Sequence, residues 1–261
     1  MFGRSLMIKS DEEVALLRES GRLVSLVLAE VGRLVRPGIS TLDLDRRAEE
    51  FIRDHGAAPG FKGFHGYPAT LCTSVNHQVV HGIPSSKVVL QDGDIVSVDC
   101  GVILNKYHGD SAFTFQVGDV APEVKDLLEA TRASLFEGIR FATTAWRMGD
   151  LGSAIQSYCE ERGYSVVREL IGHGVGTRLH EPPDVPNYGR RGVGMKLKKN
   201  MVICIEPMIN MGVRDIYQGQ DGWTISTRDH KPSAHFELMV VVGDKEAETI
   251  STFSYIDQIL N

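Results

Sequence analysis

Apolar residues recur at helical spacing in two pairs of segments. Val14, Leu17, Gly21, Val24, Val27, Leu28, Val31 and Leu34 follow the capping-box sequence Ser10-Asp11-Glu12-Glu13, which predicts a first helix running to Pro37-Gly38. Ser40 or Thr41 then caps a second helix with Leu44, Ala48, Phe51 and Ile52 on one face and His55-Gly56 at its end. Pro122-Glu123-Val124 opens a third through Leu127, Leu128, Leu135 and Ile139. Met148-Gly149-Asp150 precedes a fourth through Leu151, Ile155 and Tyr158 to Gly163. Leu44, Phe51 and Gly56 match Leu151, Tyr158 and Gly163 at one constant offset, and Glu13-Val14 and Leu17 match Glu123-Val124 and Leu127 at a slightly longer one. A weak repeat of helix, helix and strands follows from this, with chance likeness between amphipathic helices as its alternative. Two similar halves suggest one α+β domain made by duplication, with a site between the halves.

Between and after the helices the pattern changes to β-branched runs. Asp92-Gly93 is turn chemistry, Ile95 to Ile103 reads as a strand, and Leu104-Asn105 can reverse the chain into a second strand through Tyr107, His108 and Asp110. With that loop, Asp99 faces Asp110 and the two carboxylates share one face. Like charges so placed are destabilising, so a shared proton, a nearby cationic side chain or a metal ion has to compensate. A turn displaced by one residue, with one acid merely capping a strand end, is the plain alternative. Thr70 to Val75 reads as a strand, Pro59 to Tyr67 as a pocket-lining loop rich in glycine and aromatics, and Asn76 to Pro84 as a loop holding His81. Gly172-His173-Gly174-Val175-Gly176 leads to Leu179-His180-Glu181, which places two histidines in a glycine-rich loop. Met201 to Glu206-Pro207 and His235 to Val242 are apolar strands that carry acids, and glutamate is depleted in strands and rarely buried alone.

The 261 residues can bury a substantial core. A net charge of -6 without a basic run gives no reason to expect nucleic acid. Met1 to Lys9 lacks the apolar stretch of a signal peptide and no later segment approaches a membrane span, so a cytoplasmic protein is expected. Cys72, Cys100, Cys159 and Cys204 are scattered and read as buried thiols.

Singly, His81, His173, Glu206 and their companions each have a bland explanation as turn or strand-end residues. Together, Asp99, Asp110, Glu206, Glu237 and His173 exceed what one cation needs and suffice, with some bridging, for two divalent ions about 3.5–4 Å apart. The hard, mixed O/N set suits Mn, Fe, Co or Zn. Between two such ions a water loses its proton near neutral pH and becomes a nucleophile. Gly172 to Gly176 is a poor phosphate loop, since no G-x-G-x-x-G spacing or Gly-Lys-Ser/Thr follows, and no G-x-S-x-G elbow is present.

Asp99, Asp110, His173, Glu206 and Glu237 in that order, preceded by Cys72-Thr73-Ser74-Val75-Asn76 and His81-Gly82-Ile83-Pro84, resemble type I methionine aminopeptidase. The likeness runs from the first helix to Val242, and Gly172-His173-Gly174-Val175-Gly176 with His180 after it is its most specific part. The resemblance implies a single pita-bread domain over 1–261, its antiparallel sheet covered by helices, with pseudo-symmetric halves at about 1–118 and 119–261. It implies a two-metal hydrolase that removes the initiator methionine by a metal-activated hydroxide and favours Gly, Ala or Ser as the second residue. Asp99 would chelate one ion, His173 the other, and Asp110 and Glu237 would bridge. Glu206 would bind a metal and take the proton of the attacking water, while His81 and His180 would steady the scissile amide and oxyanion. Phe64, Tyr67, Cys72 and Trp223 match positions that line the methionine pocket, and aromatic faces with a soft thiol suit a thioether.

The partners so implied are nascent polypeptide N-termini, with the ribosome as a meeting place but no zinc-finger extension to dock there. No long apolar stripe calls for an obligate dimer, so a monomer is expected. Leu170, Leu179 and Phe64 depart from residues commoner in the family and bear on pocket shape. Proline-directed peptidases, metal-free binding proteins and creatinase-like hydrolases share the fold. The intact set of acids and histidines favours the metallopeptidase over the last two, and the lack of a large N-terminal domain disfavours the first.

Overall fold

The computed structural model describes residues 8–260, so Met1 to Met7 of the expected leaderless terminus lie outside the described residues. Helix α1 (Asp11–Gly32) begins at the predicted capping box, in which Ser10 Oγ accepts from Glu13 N and the Glu13 carboxylate accepts from Ser10 N. It stops before Pro37, because Leu34 and Val35 already donate to carbonyls only three residues back. Helix α2 (Thr41–Asp54) is capped by Ser40 and ends at His55-Gly56 as expected. Buried Asp45 on α2 accepts from the backbone of Thr70 and Leu71 at 2.9 and 2.8 Å, which fastens the helix to the start of the strand that begins at Leu71.

The first sheet holds β1 (Ala58–Pro59), β2 (Leu71–Val75), β4 (Ile95–Leu104) and β5 (Tyr107–Gln116), ordered β1-β4-β2 with β5 also on β4. Its reversal uses Asn105-Lys106, not Leu104-Asn105: Leu104 pairs with Tyr107, Gly101 with Asp110 and Asp99 with Ala112. Both turn residues have positive φ, 52° and 72°, the two-residue geometry that matches strand twist. The expected face-to-face pairing of Asp99 with Asp110 is therefore corrected to a diagonal one. Moving the loop by one residue changes the partner by two, so both acids keep the same face. Gly101 opposite Asp110 lets the Phe61 ring press on the strand, where a Cβ would stand 2.5 Å from it.

A second sheet joins β15 (Glu248–Thr249), β14 (Leu238–Val241), β9 (Val202–Ile205), β7 (Gly172–Gly174) and β8 (Glu181–Val185) in that order. Two three-stranded sheets complete the set. One is β13 (Ser233–His235), β10 (Met208–Asn210) and β6 (Ser165–Val166); the other is β11 (Ile216–Gln218), β12 (Ile225–Thr227) and β3 (Gln78–Val80). The strand expected from His235 to Val242 is thus broken between β13 and β14, and β3 interrupts the expected loop from Asn76 to Pro84. The break has a cause. Pro207 separates β9 from β10 and has no N–H for the ladder, so the facing chain parts at Phe236-Glu237 as well, and Glu237 N donates instead to Ala112 O at 2.9 Å.

Helices α1 and α2 lie on β4, β5 and β2, while α3 (Pro122–Ile139) and α4 (Met148–Glu160) pack on each other and over β9, β10, β13 and β6. Leu28, Leu44, Leu71, Phe115, Leu135, Leu151 and Phe236 fill the core between helices and sheets. The short α5 (Ser254–Leu260) returns to α1. All four cysteines are free and buried, as expected. Among the described residues no helix is long and apolar enough to cross a membrane.

Candidate active site

A cavity of about 300 Å³ opens between the β4–β5 hairpin and the paired breaks at Glu206-Pro207 and Phe236-Glu237. Every residue singled out in the sequence lines it: Phe64, Tyr67, Cys72, His81, Asp99, Asp110, His173, His180, Glu206, Trp223 and Glu237. Asp99 comes from β4 and Asp110 from β5, while Glu206 and Glu237 stand at the two strand breaks. His173 sits on the short strand β7, not in a loop, because Gly172 and Gly174 let that strand lie close between β8 and β9; a Cβ on Gly172 would come 2.3 Å from the Cys204 carbonyl oxygen.

The hairpin is tied to the second strand break. Ser111 Oγ donates to Glu237 O at 2.7 Å and Asn187 Nδ2 donates to Glu206 O at 3.0 Å, so both acid-bearing backbones are fixed from outside the cavity. Asp99 Oδ1, Asp110 Oδ1 and Glu237 Oε1 are buried without a hydrogen-bond partner. Such orphaned oxygens are costly unless a proton or cation meets them. Burial and the neighbouring acids push the Asp110 and Glu237 carboxyls well above the ordinary range. Burial also raises Asp99 to about 7 and Glu206 to about 8.

The imidazole is set up the opposite way. His173 Nδ1 lies 3.0 Å from Gly174 O, and since a carbonyl only accepts, Nδ1 carries the proton and Nε2 offers a lone pair. That Nε2 stands 3.6 Å from Glu206 Oε1 and 3.8 Å from Asp110 Oδ2, and burial lowers the ring to about 3. Ligand atoms of Asp110, His173, Glu237 and Cys204 all lie within 4.8 Å of one another. Orphaned acid oxygens around a free imidazole lone pair fit a divalent cation. Burial holds the Cys204 and Cys72 thiols protonated.

The remaining wall is apolar. The Tyr67 hydroxyl donates to Leu71 O at 2.9 Å, which turns the ring toward Trp223, its centroid 5.0 Å away edge-on. Cys72, Phe61, Phe64 and Leu179 complete this side. His180 is at the exposed rim, its ring 4.3 Å from His173 and 5.3 Å from Phe64. His81 holds a left-handed backbone with φ 61°, and burial lowers its ring to about 4, so it is neutral at pH 7.

Two groups beside the acids, His235 and Cys204, escaped the sequence reading as site residues. His235 lines the cavity with Nε2 3.5 Å from Glu206 Oε2, and Cys204 joins the ligand cluster. Strand alternation held the signal for both, since His235 is two residues from Glu237 and Cys204 two from Glu206.

Comparison with known proteins bears on this site. The profile of metallopeptidase family M24 matches residues 15–244. A methionine aminopeptidase of Clostridium perfringens is 49% identical over 91% of this chain and 95% of its own length. Methionine aminopeptidase 1 of Bacillus subtilis is 47% identical over 92% of this chain and 96% of its own. The crystal structure of methionine aminopeptidase from Rickettsia prowazekii superposes with a TM-score of 0.93 at 39% identity, covering 95% of this chain and all of the other.

Proposed function

The chain belongs to metallopeptidase family M24, and from that premise we propose a methionine aminopeptidase that releases the initiator methionine from protein N-termini. It has the pita-bread fold of its structural relatives and uses divalent metal. The observation that carries the reading is a neutral imidazole with a free Nε2 set beside Asp110, Glu206 and Glu237 in a cavity that Asp99 also lines.

In this reading Asp99, Asp110, His173, Glu206 and Glu237 hold two ions drawn from Mn, Fe, Co or Zn. The ions, when bound, supply Lewis acidity toward the scissile carbonyl and toward water. The chain does the rest. Glu206, deprotonated when the ions are bound, takes a proton from the attacking water and returns it to the departing amine. His81, neutral at pH 7, donates an N–H to the substrate without adding a charge, and His180 does so from the rim. Phe64, Tyr67, Cys72 and Trp223 receive the thioether, and the confined cavity favours Gly, Ala or Ser as the second residue. One catalytic domain with halves at about 1–118 and 119–261, acting as a monomer in the cytoplasm on chains leaving the ribosome, completes the proposal.

The test is release of free methionine from Met-Gly-Met-Met by metal-free protein and after adding Mn, Co, Fe or Zn, beside a Gly-Pro-headed peptide. Metal-dependent cleavage of the first peptide alone is expected. Cleavage of only the second would assign a proline-directed peptidase instead.

A further inference from the structure

His235 ends β13 opposite Met208 and is 2% exposed, and neither ring nitrogen has a hydrogen-bond partner. Its backbone is clamped from β5: Thr114 Oγ1 accepts from His235 N at 3.0 Å and donates to His235 O at 2.8 Å, while Ser97 Oγ donates to the same hydroxyl at 2.8 Å. With its main chain fixed at both polar atoms, the ring projects into the cavity beside Glu206.

The Glu206 carboxylate lies between two imidazoles, His173 Nε2 at 3.6 Å from Oε1 and His235 Nε2 at 3.5 Å from Oε2. The two are not equivalent. His173 spends its only proton on Gly174 O and has none to give at Nε2. His235 is unengaged at both nitrogens, and an imidazole carries at least one N–H, so it has a donor available. We propose that His235 is a positioning residue for Glu206, its Nε2–H holding Oε2 so that Oε1 is turned toward the reacting side of the cavity. This role rests on the reading of Glu206 as the proton acceptor. Fixing one carboxylate oxygen removes rotamers in which the acceptor points away from water, which acts on turnover and not on substrate binding.

The experiment compares His235→Leu and His235→Gln in the full chain at saturating divalent ion, with kcat, KM for Met-Gly-Met-Met, bound metal and Tm measured for each. Glutamine places an amide N–H near the position of Nε2, and leucine only fills space. Expected for leucine is a fall in kcat on the order of 10- to 100-fold, the size of one lost hydrogen bond to a charged group, with KM and bound metal unchanged. Glutamine restores most of that loss. Equal losses for both variants, an unchanged kcat in leucine, or a change confined to KM would overturn the assignment. Ring ¹⁵N spectra of the metal-free protein give a second readout: His235 is expected as the Nε2–H tautomer, and the Nδ1–H tautomer would refute it. Glu206→Gln separates the two levels. Loss of turnover there with normal leucine kinetics sinks the role of His235 alone, whereas full turnover in Glu206→Gln sinks the proton-acceptor reading and this one with it.

Discussion

Lys9 Nζ and the Glu181 carboxylate form a fully buried ion pair, 2.5 Å apart, which ties the start of the chain to the residue next to His180. Glu181 also accepts from Arg178 N at 3.1 Å, and Lys9 N donates to Asn200 O at 2.9 Å, so the pair fastens the His180 loop to α1 and to the approach to β9. Gly176, whose absent side chain leaves room for the ammonium, completes the fit.

Removing one member leaves a charge buried without its partner. Lys9→Met is expected to lower unfolding free energy by about 3 kcal/mol and to reduce methionine release, while Lys9→Met with Glu181→Gln recovers most of the stability. Urea titration of the three proteins checks this; a double variant no better than the single one would show that the lysine acts through packing alone.

Asp99→Ala and Glu206→Ala are each expected to abolish turnover. The first removes an acid whose Oδ1 has no protein partner, and the second removes the proposed proton acceptor. Near-normal kcat in either purified variant would refute the two-metal assignment.

His81→Ala should lower kcat by about 100-fold and leave bound metal unchanged. Histidine already carries the Cβ that strains φ 61°, so alanine adds no new backbone clash there. Metal analysis decides, because loss of metal would make His81 a ligand.

The carboxyl cluster gives a pH dependence of definite sign. Asp99 and Glu206 titrate near 7 and 8 in the fold, and Asp110 and Glu237 are raised as well. Between about pH 6.5 and 8 the metal-free native protein therefore keeps carboxyl protons that the unfolded chain has released, and its stability falls as pH rises through that window. Below about pH 6.5 His173, at about 3, and His81, at about 4, oppose the trend, because the unfolded imidazoles bind protons that the native ones refuse. A cation needs the deprotonated acids, so its affinity rises from pH 6 to 8 and its binding expels protons. Calorimetric titration of Mn²⁺ in two buffers of different protonation enthalpy is expected to give unequal heats at pH 7, and equal heats would contradict the cluster.

Lys106 holds φ 72° in the second position of the hairpin turn, where glycine is unstrained. Lys106→Gly is expected to stabilise the protein by about 0.5–1 kcal/mol, measured by thermal unfolding. A destabilised variant would argue against the observed register.

That turn also marks how far the sequence could be read. Ser10, Ser40 and Pro122 announced their helices because caps and helix starts are local chemistry. The acids of the site were legible because Asp99, Glu206 and Glu237 interrupt apolar runs where a carboxylate is out of place. Register was not, since Asn105 accepts a left-handed backbone at either turn position and Lys106 carries no turn signal of its own. Nor was the break at Phe236-Glu237, whose cause is Pro207 on a facing strand. His235 was hidden for the same reason: its meaning depends on Glu206, distant in sequence and adjacent only across that break.

Asp99 and Asp110 stand on one hairpin, whereas His173, Glu206 and Glu237 come from β7 and the later strand breaks, joined to it through Ala112 and Glu237. A copy that stops anywhere short of Glu237 carries an incomplete donor set. With the proposed ligand set, metal loading becomes a report that the chain has been made and folded at least as far as Glu237.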